Sequence, residues 1–231
     1  MALIIADHNT FGLSEVDLIK RVSGSACGNV FGIVSKTDTA KQMTSLRVWA
    51  SKSPTAQNIL KFVAASSVNI YLVGLSSGGA ALCPGSPGPV GSATIFINFR
   101  MKFDFVRYSA KMNAFTKKMI DRHPSTVQYI PVDSYLCFLH EMGHAVQFIE
   151  NPSQFEMGMK GVLSNPLFTQ QIRGAAQAKG APVPTEKEAE SCTRKWPVRI
   201  ETDNLQRHER PMCLELGIPS RESYGDFRMP G

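Results

Sequence analysis

Hydrophobic and polar positions along the chain predict a mixture of helices and strands. Ser14, followed three residues later by Asp17, is typical of a helix start. Residues 68–75 and 92–99 are rich in β-branched and aromatic residues, which predicts two strands. Between them, eight of the fourteen residues from 78 to 91 are Gly or Pro, which predicts a loop. We therefore expect the two strands to form a hairpin with a long connection.

Three later segments are predicted to be helical. One has a core-facing apolar stripe with the helical period, formed by Phe105, Tyr108, Met112, Phe115 and Met119. A second begins at Asp133 or Ser134, which are good N-cap residues, and runs to Glu150, because Asn151-Pro152 is a stop signal. The third covers Glu186 to Arg194. Together, the segments predict an α+β chain of 231 residues forming a single domain.

Composition and charge exclude several classes of protein. Apolar residues make up 43% of the chain, enough for a buried core, and none of their runs is long enough to span a bilayer. The formal net charge of +6 is too weak a bias to indicate nucleic acid. The five cysteines are scattered and odd in number, which favours reduced thiols over a disulfide framework. No basic residue precedes the short apolar run at residues 2–5, so we expect no cleaved secretory signal.

The second helix carries the candidate chemistry, because His140, Glu141 and His144 have the spacing HExxH. Residues four apart on a helix share a face, so the two imidazoles can converge on one zinc ion. Glu141 lies on the same side and can act as the general base toward a water molecule that zinc acidifies. The spacing therefore predicts metal-assisted peptide hydrolysis.

A catalytic zinc site needs a third protein ligand. We favour Glu190 on the third helix, followed by Glu188 and Glu186. Glu150 has the spacing of the last ligand in metzincins, but Gln147 replaces the glycine with which those enzymes leave the helix.

Arg221 and Tyr224 form an RxxY pair behind the turn Gly217-Ile218-Pro219. A guanidinium or phenol aimed at the scissile carbonyl stabilises the oxyanion of the transition state. We predict this role for both residues, with His208 as a weaker alternative.

The order of these motifs resembles the bacterial type III secreted effector zinc proteases, NleD-like and XopG-like, which are similar to clostridial neurotoxin light chains. The resemblance covers residues 129–225 and includes Asp203-Asn204-x-x-Arg207. It implies a zincin-like fold, in which the active-site helix packs against a small mixed or antiparallel sheet. It also implies zinc bound by His140, His144 and Glu190, Glu141 as the base, and Arg221 with Tyr224 as oxyanion helpers.

The same resemblance implies an effector that is secreted by a type III system into the host cell cytoplasm and cleaves a host protein. We expect the protein to be a monomer. Residues 1–30 are then a candidate flexible secretion segment, and no membrane or nucleic acid partner is expected. In zincin folds a substrate pairs with an edge strand above the active-site helix, and residues 92–99 are our candidate for that strand. The alternative is a catalytically silent zinc-stabilised protein that sequesters a host factor, with Cys192 or Cys137 filling the open metal position.

Overall fold

The computed structural model describes residues 3–23, 30–108, 127–156, 198–221 and 227–228. In these residues several helices pack with two small sheets, which is a mixed α+β arrangement. The strands are β1 (Leu3–Ala6), β2 (Ile70–Gly74), β3 (Ala80–Pro84), β4 (Ala93–Ile97), β5 (Phe103–Tyr108), β6 (Val127–Val132) and β7 (Phe227–Arg228). The α-helices are α1 (Glu15–Ser23), α2 (Lys36–Ala50), α3 (Pro54–Ala65), α4 (Ser134–Glu150), α5 (Val198–Asn204) and α6 (Arg210–Leu216).

The first sheet has the strand order β1-β2-β4-β3, with β3 antiparallel to β4 and the other pairs parallel. The predicted strands at 68–75 and 92–99 are present, but the hairpin between them is wrong because β2 and β4 run parallel. The prediction of a loop throughout 78–91 is also wrong, because Ala81 and Leu82 are buried in β3. Gly78 and Gly85, both at positive φ, mark the two turns that flank this strand.

The position of β3 also corrects the choice of substrate strand. Residues 92–99 contain β4, whose backbone pairs with β2 on one side and β3 on the other. A central strand has no unpaired edge to offer a peptide. Within the described residues the outer strand on this side of the sheet is β3.

The second sheet has the order β6-β5-β7 and overturns one helix prediction. The helix expected to start at Phe105 is wrong there, because residues 103–108 form β5 and pair with β6 and β7. Phe103 and Phe105 lie two residues apart on one buried face, with ring centroids 5.9 Å apart. The period-2 placement of large aromatic residues suits a strand, and pairing on both sides outweighs the helical spacing. The rest of that predicted helix, residues 109–126, lies outside the described residues.

Two predicted helix starts are confirmed. The Ser14 hydroxyl accepts a hydrogen bond from the Asp17 amide at 3.1 Å before α1. The Asp133 side chain accepts one from the Tyr135 amide at 2.9 Å before α4, and α4 ends at Glu150 as expected. In the described part of the chain, no helix is both long and apolar enough to cross a membrane.

The helix α4 lies in the centre of the larger core. Its apolar side packs against the first sheet, α3 and the C-terminal helices, and contributes Leu136, Phe138, Leu139, Met142 and Ala145 to the buried cluster. On another side it meets a continuous helical segment made of α5, a π-helical turn at Leu205–Glu209, and α6. These contacts hold the HExxH residues between the edge strand β3 and the α5–α6 segment.

Candidate metal centre

The HExxH side chains are buried on α4. His140, Glu141 and His144 are only 4%, 7% and 5% exposed. The two imidazole rings lie one helical turn apart, with centroids 4.7 Å from each other and nearly perpendicular planes. Both histidines therefore point to one region, as the i, i+4 spacing predicts.

Glu201 on α5 supplies a third ligand atom. Its Oε2 atom lies 3.1 Å from His140 Nε2 and 3.1 Å from His144 Nε2. Ligands of a tetrahedral zinc ion are about 3.3 Å apart when each bond is about 2.0–2.1 Å. In the described part of the chain, these three side chains form a group that could hold a metal ion. Their chemistry and spacing fit a zinc ion bound by two histidines and one glutamate.

Glu209 lies behind His140 and contacts its other ring nitrogen. The Oε2 atom of Glu209 is 2.8 Å from His140 Nδ1. Arg221 donates to both carboxylate oxygens of Glu209, at 2.7 and 2.5 Å, and stacks over the Phe105 ring with 5.7 Å to its centroid. A carboxylate on the far nitrogen of a ligating histidine fixes the ring and makes it a better ligand.

The π-helical turn explains how one helical segment delivers both carboxylates. Glu201 and Glu209 are eight residues apart. In an α-helix their side chains would point about 80° apart around the helix axis. Each residue of a π-helical turn rotates the chain about the helix axis by less, roughly 80° instead of about 100°. The five π-helical residues Leu205–Glu209 therefore remove most of that difference. As a result Glu201 reaches Nε2 of His140 while Glu209 reaches Nδ1.

Burial and charge pairing act against each other in this cluster. Burial lowers the pKa of His140, but hydrogen bonds to Glu201 and Glu209 and their charges raise it to about 9. Burial raises the pKa of Glu209, but Arg221 and His140 outweigh it and lower this pKa to about 2. The pKa of Glu201 likewise falls well below its usual range, because both imidazoles outweigh the effect of burial. These contacts therefore favour the imidazolium form of His140, whose Nε2 faces Glu201.

Glu141 lies between the histidines and the edge strand. Burial raises its pKa above the usual value, against the lowering effects of both imidazoles and of a hydrogen bond from the Leu82 backbone amide in β3. The predicted general base is therefore connected directly to the edge strand β3.

Gly143 provides the space for a close contact between α4 and α5. A Cβ atom at this position would lie 2.0 Å from Asn204 Oδ1 and 3.0 Å from His208 Cδ2. Asn204 is fully buried and donates from Nδ2 to the backbone carbonyl of His140 at 2.8 Å. The glycine thus allows α5 to approach the helix turn that carries the ligands.

Several predicted site residues are absent from the described part of the chain. Glu186, Glu188, Glu190, Cys192 and Tyr224 all lie outside it, so their roles stay predictions. Glu150 is described, and its carboxylate pairs with Arg207 at 2.8 and 2.9 Å. Cys137 is not part of the metal-ligating group.

Arg221 and His208, the other predicted oxyanion donors, both lie close to the HExxH helix. Arg221 contacts Glu209, Phe105 and the His140 ring, whose Nδ1 lies 3.3 Å from the guanidinium. His208 is buried beside Gly143, and burial together with the charge of Arg207 lowers its pKa to about 4.

Sequence reasoning missed Glu201 and Glu209. Glu201 lies just before the Asp203-Asn204-x-x-Arg207 pattern and Glu209 lies just after it. Glu201, Asn204 and His208 have the i, i+3, i+7 spacing of one helix face. That polar stripe was an available signal. It could not identify the candidate ligand, because other glutamates lie upstream and only long-range packing brings Glu201 to the histidines.

Comparisons with protein-family models, with curated proteins and with solved structures found no match for this chain.

Proposed function

We propose that this protein is a zinc-dependent endopeptidase with a zincin-like catalytic centre. One observation carries the proposal: both HExxH imidazoles present Nε2 to the same Glu201 oxygen at 3.1 Å. Glu141, the general base of the motif, is buried next to them. In this proposal Glu201 is the third ligand, in place of the predicted Glu190.

The chemistry divides among the residues of the centre. A zinc ion bound by His140, His144 and Glu201 would polarise the peptide carbonyl and acidify the attacking water. Glu141 takes a proton from that water and later delivers it to the leaving amine. Glu209 holds the His140 ring through Nδ1, and Arg221 holds Glu209 through two hydrogen bonds.

The RxxY pair takes two different tasks in this proposal. Arg221 positions Glu209, since the guanidinium places two donors on that carboxylate. Tyr224, three residues later, keeps the predicted role of donor to the oxyanion.

The substrate binds in extended form along β3. The backbone of this strand pairs with β4 on one side, and its Leu82 amide reaches Glu141. A peptide added to the outer edge of β3 would pass directly over the catalytic carboxylate. The resemblance to secreted effector proteases makes a host-cell protein the proposed substrate class.

The metal site is tested by measuring zinc content after purification without chelator. We expect about one zinc per chain in the parent. We expect its loss in His144→Ala and Glu201→Gln and its retention in Glu190→Gln and Glu150→Gln. Zinc lost in Glu190→Gln but kept in Glu201→Gln would return the third ligand to Glu190. A parent without zinc would contradict the proposal.

Peptidase activity is tested separately with a peptide library derived from a host proteome. Glu141→Gln should retain zinc and cleave about 10²- to 10⁴-fold more slowly, because it removes the base. Glu215→Gln is the matched control, because the Glu215 carboxylate contacts Thr55 of α3 instead of the centre, and it should cleave like the parent. A zinc-loaded parent that cleaves nothing would support the silent zinc-stabilised binding protein instead.

A further inference from the structure

The far ring nitrogen of His144 has a partner different from that of His140. His144 Nε2 faces Glu201, while His144 Nδ1 lies 2.8 Å from Oε1 of Gln147, on the same helix. His140 instead has the Glu209 carboxylate at Nδ1. The two proposed metal ligands are therefore supported by different chemistry, a charged carboxylate for one and a neutral amide for the other.

The orientation of the Gln147 amide follows from its other contacts. Its Nε2 atom lies 3.0 Å from the Ile200 carbonyl and 2.7 Å from Asp203 Oδ2. A carbonyl and a carboxylate can only accept hydrogen bonds, so the amide NH₂ group must face them. Gln147 Oε1 must then face His144. An amide oxygen can only accept, which requires Nδ1 of His144 to carry the proton.

When a metal takes the place of any proton on Nε2, an imidazole that keeps its proton on Nδ1 presents its lone pair at Nε2. That nitrogen is the one directed at Glu201 and at the proposed metal position. The Gln147 amide therefore selects the tautomer of His144 that can bind a metal. The Ile200 carbonyl and the Asp203 carboxylate, which both accept from this amide, prevent it from flipping.

The acceptors of Gln147 are themselves held by α5 and its continuation. Asp203 Oδ2 also accepts from Arg207 at 3.4 Å, and Arg207 makes a bidentate pair with Glu150 at the end of α4. These contacts thus join the last turns of α4 to α5 and to the π-helical turn. Gln147 is the member of this chain that touches a proposed metal ligand.

We propose that Gln147 is a positioning residue that fixes the tautomer and ring orientation of His144 for metal binding. This inference rests on the proposed function, in that it takes His140, His144 and Glu201 as the metal site. It assigns a role to the residue that occupies the glycine position of the metzincin spacing.

The test compares Gln147→Met with the parent. Methionine has a similar length but neither accepts strongly from Nδ1 nor donates to Asp203. We expect Gln147→Met to bind Zn²⁺ 10- to 100-fold more weakly in competition with a chelating dye. In long-range ¹H–¹⁵N spectra of the zinc-loaded protein, we expect the His144 Nδ1–H signal to be protected in the parent and lost in the variant.

Two further variants keep the test decisive. The double variant Gln147→Glu/Asp203→Asn retains an acceptor for Nδ1 and replaces the neighbouring carboxylate with an amide that can donate to it. It should therefore bind Zn²⁺ within a few-fold of the parent even if Gln147→Met folds poorly. Gln42→Met is the matched control, because Gln42 is also half-buried but accepts from Tyr135 on another part of α4. Its zinc affinity should equal that of the parent.

The outcomes separate this inference from the proposed function. If Gln147→Met keeps both the parent's zinc affinity and the His144 Nδ1–H signal, the inference is overturned while the metal site stands. A tenfold or larger loss of affinity in Gln147→Glu/Asp203→Asn would also overturn it. If the parent binds zinc and Gln147→Met weakens it, but no peptide is cleaved, the inference is supported and the peptidase proposal fails. A parent that binds no zinc overturns both.

Discussion

Single side chains in this centre have contacts that tolerate little change. Asn204 is an example, because its Oδ1 atom occupies the space where any residue other than glycine at position 143 would place Cβ. Its amide also binds the carbonyl of His140, one of the proposed ligands. Packing, backbone hydrogen bonding and ligand position are therefore coupled through one buried asparagine.

We expect Gly143→Ala to destabilise the protein despite the higher helix propensity of alanine. The propensity gain is about 1 kcal/mol, whereas overpacking against fully buried Asn204 costs about 1–3 kcal/mol. Urea denaturation of the chelator-treated protein measures the difference. In the double variant Gly143→Ala/Asn204→Ala the clash is removed, so the two effects should be non-additive. Strict additivity would contradict the contact.

His208 should make stability depend on pH in a defined window. Burial lowers its pKa from 6.5 to about 4, so between these values the unfolded chain binds the proton and the folded chain does not. Stability contributed by neutral His208 is therefore present above pH 6.5 and is lost as pH falls toward 4. The loss from pH 7 to pH 4.5 should be on the order of 2 kcal/mol.

The measurement compares the parent with His208→Leu by urea denaturation at pH 7, 5.5 and 4.5. Carboxylates titrate in both proteins, so the difference between the two curves isolates His208. We expect the stability of His208→Leu to rise relative to that of the parent as pH falls. Parallel curves would show that His208 is protonated equally in the folded and unfolded chains.

At the scale of elements, one helical segment serves the site and the core together. Glu201 and Glu209 meet His140 from α5 and the π-helical turn, while Met212 and Cys213 of α6 enter the main hydrophobic cluster. Movement of this segment would therefore displace a proposed ligand and its supporting carboxylate at once.

The far end of this segment is tied to α3 by Glu215. Its carboxylate accepts from the Thr55 amide at 3.0 Å, from the Thr55 hydroxyl at 2.7 Å and from the Ser53 hydroxyl. Ser53 is in turn the N-cap of α3 and accepts from the Ala56 amide. Glu215 thus extends the cap of a helix that is distant in sequence.

We expect Glu215→Ala to lower the free energy of unfolding by about 1 kcal/mol, a typical value for loss of a helix cap. Urea denaturation provides the measurement. Leu214→Ala is a matched control on the same helix, because Leu214 is 83% exposed and should change stability by less than about 0.5 kcal/mol. Equal effects of the two substitutions would contradict a capping role for Glu215.

At the scale of the whole molecule, the proposed metal ligands are joined to the core from two directions. The helix α4 contributes to a hydrophobic cluster that also contains residues of α2, α3, the first sheet and α6. An ion that bridged α4 and α5 would therefore stabilise contacts well beyond its ligands. Zinc binding should accordingly be coupled to global stability.

We expect chelator treatment to lower the midpoint of thermal unfolding. Free zinc at 100 times its dissociation constant stabilises the folded state by about 2.7 kcal/mol. For a chain of this size that corresponds to a shift of roughly 5–10 °C. Differential scanning calorimetry with and without EDTA measures it, and His144→Ala should show no shift. An equal EDTA effect in His144→Ala would place the stabilising ion elsewhere.

Short-range patterns in the sequence determined the helix α4, its caps and the convergence of His140 and His144. Those features depend on residues within a few positions of one another, where helix geometry alone sets which side chains share a face. The strands β2 and β4 were also visible as β-rich runs, since their residue types suit a pleated, buried surface.

Tertiary structure alone decided the partners of those elements. Glu201 lies 57 residues after His144, and no local spacing distinguishes it from the other glutamates upstream. The strand β3 within a Gly/Pro-rich segment and β5 at the start of a helical stripe form because neighbouring strands pair with them and bury their apolar residues. Pairing and burial over long sequence distances outweigh local propensity, so the motif predicted the chemistry while the fold selected the proposed third ligand and its supporting residues.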